Sequence, residues 1–185
     1  IYFNSAVNNT TITNVKSSLH QFAMYADNSA DLNGLMVTNA ELLASGNGFQ
    51  VEQTGKVANL TITGGSISDN LYGFSSSVVP GSMGNDNGLI NVSVTGTIFS
   101  NNQIKGLYFE KLMNATFNNI NVTSNGNAAG NQNGGFDINL KGGAYSNIDI
   151  INSTISGNGL NNDNGAFVCK GPYHRQCSFQ PCYTG

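Results

Sequence analysis

The sequence predicts an all-β fold, a parallel β-helix (β-solenoid) of about five or six stacked coils with three short strands in each. Two observations support this prediction. Short segments in which polar and apolar residues alternate recur along the 185-residue chain, and Asn or Gly follows each of them at a fixed distance. No segment shows the period of an amphipathic helix.

The first strand of each coil is predicted from residues 34–37, 59–62, 91–94, 114–117 and 147–150. The alternation places two side chains of each segment inward and two outward, as in a half-buried strand. Successive copies lie 23 to 33 residues apart. The last inward residues are expected to stack as one core column: Val37, Ile62, Val94, Phe117 and Ile150.

A bend and a second strand follow each first strand. The positions that follow are counted from the last inward residue of the first strand. Two residues after it, the copies have Asn or Gly, which tolerate a left-handed backbone: Asn39, Gly64, Gly96, Asn119 and Asn152. Five residues on, they have inward apolar residues: Leu42, Ile67, Phe99, Val122 and Ile155. Eight residues on, Ser45 begins a column that is otherwise asparagine and is predicted to form a stacked ladder at a turn: Asn70, Asn102, Asn125 and Asn158.

A third short strand is predicted in residues 48–51, 73–74, 106–109, 135–138 and 165–168. Segments rich in Ser, Gly and Asn take up the variation in repeat length. The solenoid is therefore expected to cover residues 1–168, with a Cys-rich tail or the start of another module in residues 169–185.

The tail contains all three cysteines, Cys169, Cys177 and Cys182. An odd number leaves one cysteine unpaired, which favours a fragment of a longer chain with a Cys-rich continuation. The alternative is one terminal disulfide with a free thiol. Zinc binding is disfavoured because one Cys-x4-Cys pair with a distant third cysteine is poor spacing for that metal.

These columns resemble the right-handed parallel β-helix proteins of the pectin-lyase-like superfamily, over about residues 30–168. The resemblance implies three parallel sheets and a sharp turn at which left-handed Asn residues stack. The tail resembles small Cys-Pro-Gly modules that follow β-helical regions in large surface proteins of protists. A β-sandwich is the alternative fold, although its turns recur at shorter spacing without fixed columns.

Composition excludes two classes of function. Seven basic and ten acidic residues give a net charge of −3, and Arg175 is the single arginine, so no basic stripe is available for nucleic acid. No run of apolar residues approaches the length needed for membrane insertion.

The sequence predicts no catalytic residues and no cofactor. Asp149 is the only acid in the outward column of the first strand, whereas glycoside hydrolysis needs two carboxylates. Arg175 lies outside the coils, and His20 and His174 lie at opposite ends of the chain. A Tyr-Gly pair in residues 71–74 is followed by serines, not by the Asp and His of an epimerase-like site. A polysaccharide-active lyase, hydrolase or epimerase remains the alternative.

Two weaker possibilities concern the loops and the outer face. Asp86 and Asp163 lie in Asn-rich loops that offer oxygen ligands for Ca²⁺, but each loop has one carboxylate, and Asn-Gly is a common turn sequence. Thr-rich stretches at residues 11–13 and 61–63 suggest ice binding, but the remaining columns do not sustain the pattern.

Seven Asn-x-Ser/Thr sequons are candidates for N-glycosylation: Asn8, Asn9, Asn59, Asn91, Asn114, Asn121 and Asn152. Three of them, Asn59, Asn91 and Asn114, share one outward column. That column predicts either a row of glycans or an amide hydrogen-bond ladder. The expected function is a non-enzymatic, extracellular structural or adhesive element, N-glycosylated and assembled end to end into a larger surface structure or filament. Its expected partners are further copies or neighbouring modules and cell-surface carbohydrate.

Overall fold

The computed structural model describes residues 1–81, 88–128, 134–159, 167–170 and 177–181. All regular structure in these ranges is β-strand, and none of it is helical. The described residues therefore include no helix that could span a membrane.

The strands are numbered in chain order: β1 (Tyr2–Phe3), β2 (Ala6–Asn8), β3 (Thr11–Thr13), β4 (Lys16–Ser18), β5 (Phe22–Ala26), β6 (Asp31–Asn33), β7 (Met36–Thr38), β8 (Glu41–Leu43), β9 (Asn47–Val51), β10 (Lys56–Thr63), β11 (Ser66–Ser68), β12 (Tyr72–Ser76), β13 (Leu89–Thr95), β14 (Ile98–Ser100), β15 (Lys105–Phe109), β16 (Met113–Asn118), β17 (Asn121–Thr123), β18 (Gly134–Asn139), β19 (Ile148–Ser156), β20 (Phe167–Lys170) and β21 (Cys177–Pro181).

The strands form three ladders that the chain visits in a repeating order. The first ladder contains β2, β3, β6, β7, β10, β13, β16, β19 and β21, and the second contains β4, β8, β11, β14 and β17. The third contains β1, β5, β9, β12, β15, β18 and β20. The long strand β19 pairs with both β16 and β17, so it joins the first ladder to the second.

Every described strand pairing is parallel. The register aligns the predicted core column in order, because Ile62 pairs with Val37 and Val94, and Phe117 pairs with Val94 and Ile150. Parallel pairing excludes the antiparallel β-sandwich alternative. Regular stacking of parallel strands is compatible with a β-solenoid.

The core is a stack of apolar columns between the three ladders. Nine of the ten predicted inward residues of the first and second strands are buried, and Ile155 is partly buried against the same cluster. Phenylalanines from successive coils contact one another along the axis. The Phe49 and Phe74 rings stack 4.8 Å apart, and Phe74 meets Phe109 edge to face at 5.0 Å. Such contacts add about 0.5–1.5 kcal/mol per pair to the burial of each ring.

Each coil has three corners at which one residue takes a left-handed backbone. The corner between the first and second strands contains the predicted residues Asn39, Gly64, Gly96, Asn119 and Asn152, with φ from 49° to 66°. A second corner bends the first ladder itself, and in three coils its left-handed residue lies within β10, β13 or β16; its residues, with φ from 51° to 76°, are Asn9, Gly34, Asn59, Asn91, Asn114 and Asn147. The corner after the second strand contains Leu19, Ala44, Asp69, Asn101, Ser124 and Gly157, with φ from 47° to 63°.

A ladder of buried asparagines lies directly after this last corner. Asn102 is fully buried, and its Nδ2 donates to the Ile67 carbonyl at 3.0 Å and to Asn125 Oδ1 at 2.8 Å. Its Oδ1 accepts from both the backbone N–H and the Nδ2 of Asn70, each at 3.1 Å. Asn125 repeats these contacts towards Asn158, whose Oδ1 accepts from it twice at 2.9 Å. Each amide therefore joins its own coil to the next.

Glycine beside this ladder lets the backbones approach closely. A Cβ on Gly73 would lie 2.2 Å from the Gly106 carbonyl oxygen and 2.9 Å from Asn102 Nδ2. Any side chain at Gly73 would push the third ladder away from the asparagines.

The tail continues the strand pairing where it is described. β20 crosses the predicted boundary at residue 168, and β21 pairs with β19 in the first ladder. Cys169 is disulfide-bonded. Cys177 belongs to β21, and Cys182 lies outside the described residues. The division into two domains stays a prediction.

We expect Asn102→Ala to lower the free energy of unfolding by about 3 kcal/mol, because the Ile67 carbonyl and the Asn70 donors lose their partner in a buried site. The matched control is Asn91→Gly, which removes an exposed ladder amide at a corner that glycine tolerates and should change stability by about 0.5 kcal/mol or less. Urea unfolding followed by circular dichroism measures both. If the two variants lose equal free energy of unfolding, burial of the ladder adds nothing to the stability of the fold.

Candidate functional site

The outward side of the third ladder combines aromatic rings with carboxylates. Strand alternation places it there: Phe49 and Leu107 point inward and are buried, so the following residues, Gln50 and Tyr108, point outward. We call this surface the aromatic-acidic face. Its rings and acids are Tyr2, Phe22, Tyr25, Tyr72, Tyr108, Asp27, Glu52, Glu110 and Asp137.

The rings form two groups along this face. Tyr25 stacks between Tyr2 at 5.6 Å and Phe22 at 4.2 Å, with interplanar angles of 12° and 11°. Tyr72 and Tyr108 lie 6.2 Å apart with a tilt of 42°. Tyr2 is 60% exposed, and the other four rings are partly exposed, so each group presents apolar ring surface to solvent.

Three tyrosines donate hydrogen bonds to three carboxylates. The Tyr2 hydroxyl donates to Asp27 Oδ2 at 2.5 Å, Tyr25 to Glu52 Oε2 at 3.0 Å, and Tyr108 to Glu110 Oε1 at 2.7 Å. The bonds of Tyr2 and Tyr25 join neighbouring coils, whereas the bond of Tyr108 is made to Glu110, two residues further along the same coil. Each pair fixes a ring beside an acceptor oxygen.

These pairs shift the pKa values of the three phenols upward and the pKa of Asp27 downward. Burial, followed by the hydrogen bond to Glu52, raises the pKa of Tyr25 to about 12. Burial and Glu110 raise the pKa of Tyr108 as well. The hydrogen bond from Tyr2 lowers the pKa of Asp27. A carboxylate that is stabilised in its charged form is a poor proton donor at neutral pH.

Asp137 is held differently, in an ion pair with Lys105. Lys105 Nζ contacts Asp137 Oδ2, and the two side chains are only 6% and 16% exposed. The same ammonium lies 4.3 Å from the centre of the Tyr108 ring. Asp137 Oδ1 is buried without a hydrogen-bond partner among the described residues. Lys105 is therefore not free to pair with a ligand.

Cavities lie at both ends of the face. One of about 390 Å³ is lined by Tyr2, Phe22, Tyr25, His20 and Ile1. The other, of about 580 Å³, is lined by Val78, Pro80, Glu110, Leu140 and Lys141 among others. A ligand lying along the stack of coils would meet an aromatic cavity at one end and a mixed apolar and charged cavity towards the other.

Lys111 supports the middle of the face from beneath. It is fully buried, and its ammonium donates to the carbonyls of Glu52, Gln53 and Gly55 at 2.6, 3.0 and 2.7 Å. Because β12 lies between β9 and β15, this side chain reaches past one whole coil to the turn that follows β9. Burial lowers the pKa of Lys111 to about 8, and the nearby Glu52 opposes that shift.

The predicted glycosylation candidates are all exposed. The outward column for which the sequence predicted either a row of glycans or an amide ladder contains hydrogen-bonded amides. The Nδ2 groups of Asn59, Asn91 and Asn114 each donate to the Oδ1 of an asparagine in the preceding coil, at 2.7, 2.9 and 3.2 Å. Asn147 extends it to Asn114 at 3.0 Å, and Asn152 donates to Asn118 at 3.1 Å. Asn8, Asn9 and Asn121 lie outside these ladders.

The other candidate residues are dispersed. The calcium candidates Asp86 and Asp163, together with His174 and Arg175, lie outside the described residues. Asp149 is exposed on the first ladder, and His20 is exposed beside the aromatic cavity. Within the part of the chain that is described, no three His, Cys, Asp or Glu residues converge on a metal site.

The sequence did not predict the aromatic-acidic face, because the outward column of the third strand does not repeat one residue type. A usable signal was present. Asp27, Glu52 and Glu110 each follow the outward position of a third strand by two residues, after Tyr25, Gln50 and Tyr108.

Comparison with protein families, curated proteins and solved structures finds no match to this chain. Functional interpretation therefore depends on the geometry of the chain itself.

The pH dependence of stability tests the environment of Lys111. The Lys111 ammonium loses its proton at lower pH in the folded chain than in the unfolded chain. The unfolded state therefore binds more protons between about pH 8 and 10, and the free energy of unfolding rises with pH in that range. Lys111→Met should be less stable by about 3 kcal/mol or more, because three carbonyls lose their donor. Its deficit should widen by up to about 1.4 kcal/mol per pH unit across that window.

Chemical unfolding at pH 7, 8, 9 and 10 measures this deficit. Lys56→Met, at an exposed position, is the matched control and should stay closer to the wild type in stability than Lys111→Met at every pH. A Lys111→Met deficit that stays constant or narrows with rising pH would contradict the lowered pKa.

Proposed function

We propose that this chain is a right-handed parallel β-helix of the pectin-lyase-like kind, acting as a non-catalytic, extracellular structural or adhesive element that assembles end to end. Three parallel ladders, visited in fixed order around a continuous apolar core, support the proposed fold. The buried asparagine ladder supports it too, because asparagines stacked at a turn are a feature of the proteins that the sequence resembles.

The observation that carries the proposed assembly is a strand edge that has no partner among the described residues. Among the described strands, β1 to β4 each pair on one side only. Asn14 N–H donates to Thr38, and Met36 N–H donates to Thr10, so the alternate residues Thr11 and Thr13 direct their backbone groups towards the open side. Soluble proteins usually block such edges with charges, prolines or bulges.

This edge has little of that protection. Lys16 is the only charged residue in β1 to β4, and it pairs with Glu41 at 3.2 Å. Leu19, at the corner after β4, is 82% exposed, and Ile1 is 39% exposed. A second copy, or a neighbouring module of the same chain, that continues the strand pairing would satisfy these backbone groups and cover these side chains.

Thr11→Pro should abolish end-to-end assembly, because proline removes an N–H that points to the open side and leaves the pairing of β3 with β7 in place. Thr11→Ala is the matched control and should assemble like the wild type. Light scattering coupled to size-exclusion chromatography, over a concentration series, measures the mass.

A wild-type protein that stays monomeric at the highest concentration would overturn the assembly proposal. So would a Thr11→Pro variant that assembles as readily as Thr11→Ala.

The extracellular placement is supported by the disulfide at Cys169 and by exposed sequons. The first-ladder asparagines already donate their Nδ2 groups, and coils about 4.8 Å apart leave no room for a glycan on each one. Asn121 differs, because it lies on the second ladder between Ile98 and Thr154 and outside the amide ladders. We therefore place the principal glycan at Asn121.

Glycopeptide mapping of protein secreted from eukaryotic cells should find high occupancy at Asn121 and little at Asn91. Asn121→Gln should remove one glycan mass, whereas Asn91→Gln should leave the mass distribution unchanged apart from the substitution. Full occupancy at Asn59, Asn91 and Asn114 together would contradict this assignment.

The second candidate function is a polysaccharide-active enzyme of the same fold, and the aromatic-acidic face favours it. The hydrogen bonds of that face argue for binding instead of catalysis. Asp27, Glu52 and Glu110 each accept a hydrogen bond from a tyrosine, so their oxygens are already engaged in holding the rings, and the bond from Tyr2 lowers the pKa of Asp27.

A further inference from the structure

We infer that the aromatic-acidic face is a binding site for an uncharged polysaccharide that lies along the stack of coils. This inference rests on the proposed adhesive function and names the chemical class of its target.

The dimensions of the face suit an extended chain. Six strands contribute to it, from β1 to β18, at about 4.8 Å per strand. The face is therefore about 24 Å long, the length of a short oligosaccharide, and the parallel register keeps its side chains in straight columns.

The rings supply the apolar part of recognition. Sugar rings present C–H faces that pack on aromatic side chains, and partly exposed tyrosines offer such surfaces without the cost of unfolding a buried core. The Tyr2, Phe22 and Tyr25 group and the Tyr72 and Tyr108 group lie at separated positions along the face. A single sugar chain could contact both groups.

The polar side chains between the rings supply hydrogen-bond partners. Gln50 shares the outward column with Tyr25 and Tyr108, and Asn47 pairs with Tyr72 in the neighbouring column. Gln50 Nε2 donates to Glu52 at 2.9 Å, so its orientation is fixed. Amides and carboxylates held in fixed orientations are suited to sugar hydroxyls, which both donate and accept.

The charges select against an acidic polymer. The face carries the carboxyl side chains of Asp27, Glu52 and Glu110, and Lys105 is already paired with Asp137. Lys111 is buried beneath it and directed at backbone carbonyls, which leaves Lys141 as the exposed cation of the mixed cavity. A uronan or sulfated glycan would bring its carboxylates or sulfates close to these acids and be repelled.

Affinity gel electrophoresis tests the inference with defined polymers. The neutral probes are mixed-linkage β-glucan, arabinoxylan and galactomannan, the acidic probes are polygalacturonate and alginate, and glycol chitosan is the cationic probe. Wild-type protein should be retarded by at least one neutral polymer and by neither acidic one. Tyr72→Ala and Tyr25→Ala should weaken that binding at least tenfold, whereas Tyr72→Phe should retain it.

Met36→Ala is the matched control, since Met36 is 49% exposed on the first ladder and lies off the face. Thermal unfolding verifies that each variant is folded. The inference is overturned if no neutral polymer retards the protein, if an acidic or cationic polymer retards it more strongly than every neutral one, or if Met36→Ala loses as much binding as Tyr72→Ala.

The same samples separate this inference from the function on which it rests. Release of reducing ends, or of unsaturated products that absorb in the ultraviolet, would overturn the non-catalytic proposal even if the face binds a neutral polymer. If the wild-type protein binds no neutral polymer but still assembles with rising concentration, the binding site is refuted and the structural proposal is not.

Discussion

The buried asparagine ladder is the interaction on which the rest of the structure depends. At the corner after each second strand, the chain turns away from ladder pairing, and its backbone groups need other partners. The amides of Asn70, Asn102 and Asn125 supply them, since each bonds a carbonyl of a preceding coil and the asparagine of the next. These bonds are buried, so each unmade bond would cost more than it would at the surface.

The ladder also determines where the aromatic-acidic face lies. The third strand begins two residues after Asn70 and three residues after Asn102, and Gly73 allows the two to approach closely. Lys111 adds a contact across one coil, which fixes the turn that includes Glu52. Binding residues are in this way carried by a rigid scaffold, which reduces the entropy lost when a ligand binds.

The sequence predicted the features whose residue types repeat from coil to coil. It did not predict the features whose residue types vary between coils. The inward columns that contain Ile62 and Ile67 could be predicted, because core packing requires apolar residues at these positions. The corner containing Asp69 and Ser124 could not, because its residue types vary although the backbone does not. The aromatic-acidic face was missed for the same reason, since its outward column runs through Tyr25, Gln50, Ser75, Tyr108 and Asp137. The Lys111 contact joins residues 56 to 59 positions apart without any local pattern.

Amide hydrogen exchange followed by NMR is the most direct test of the ladder. The backbone N–H groups of Asn70, Asn102 and Asn125 each donate to the side-chain oxygen of the next ladder asparagine, at 3.1, 3.0 and 2.9 Å. If the ladder holds the coils together, these three amides exchange only through global unfolding, with an opening free energy equal to that from urea denaturation. Exchange through local opening, at a free energy well below the global value, would contradict the account.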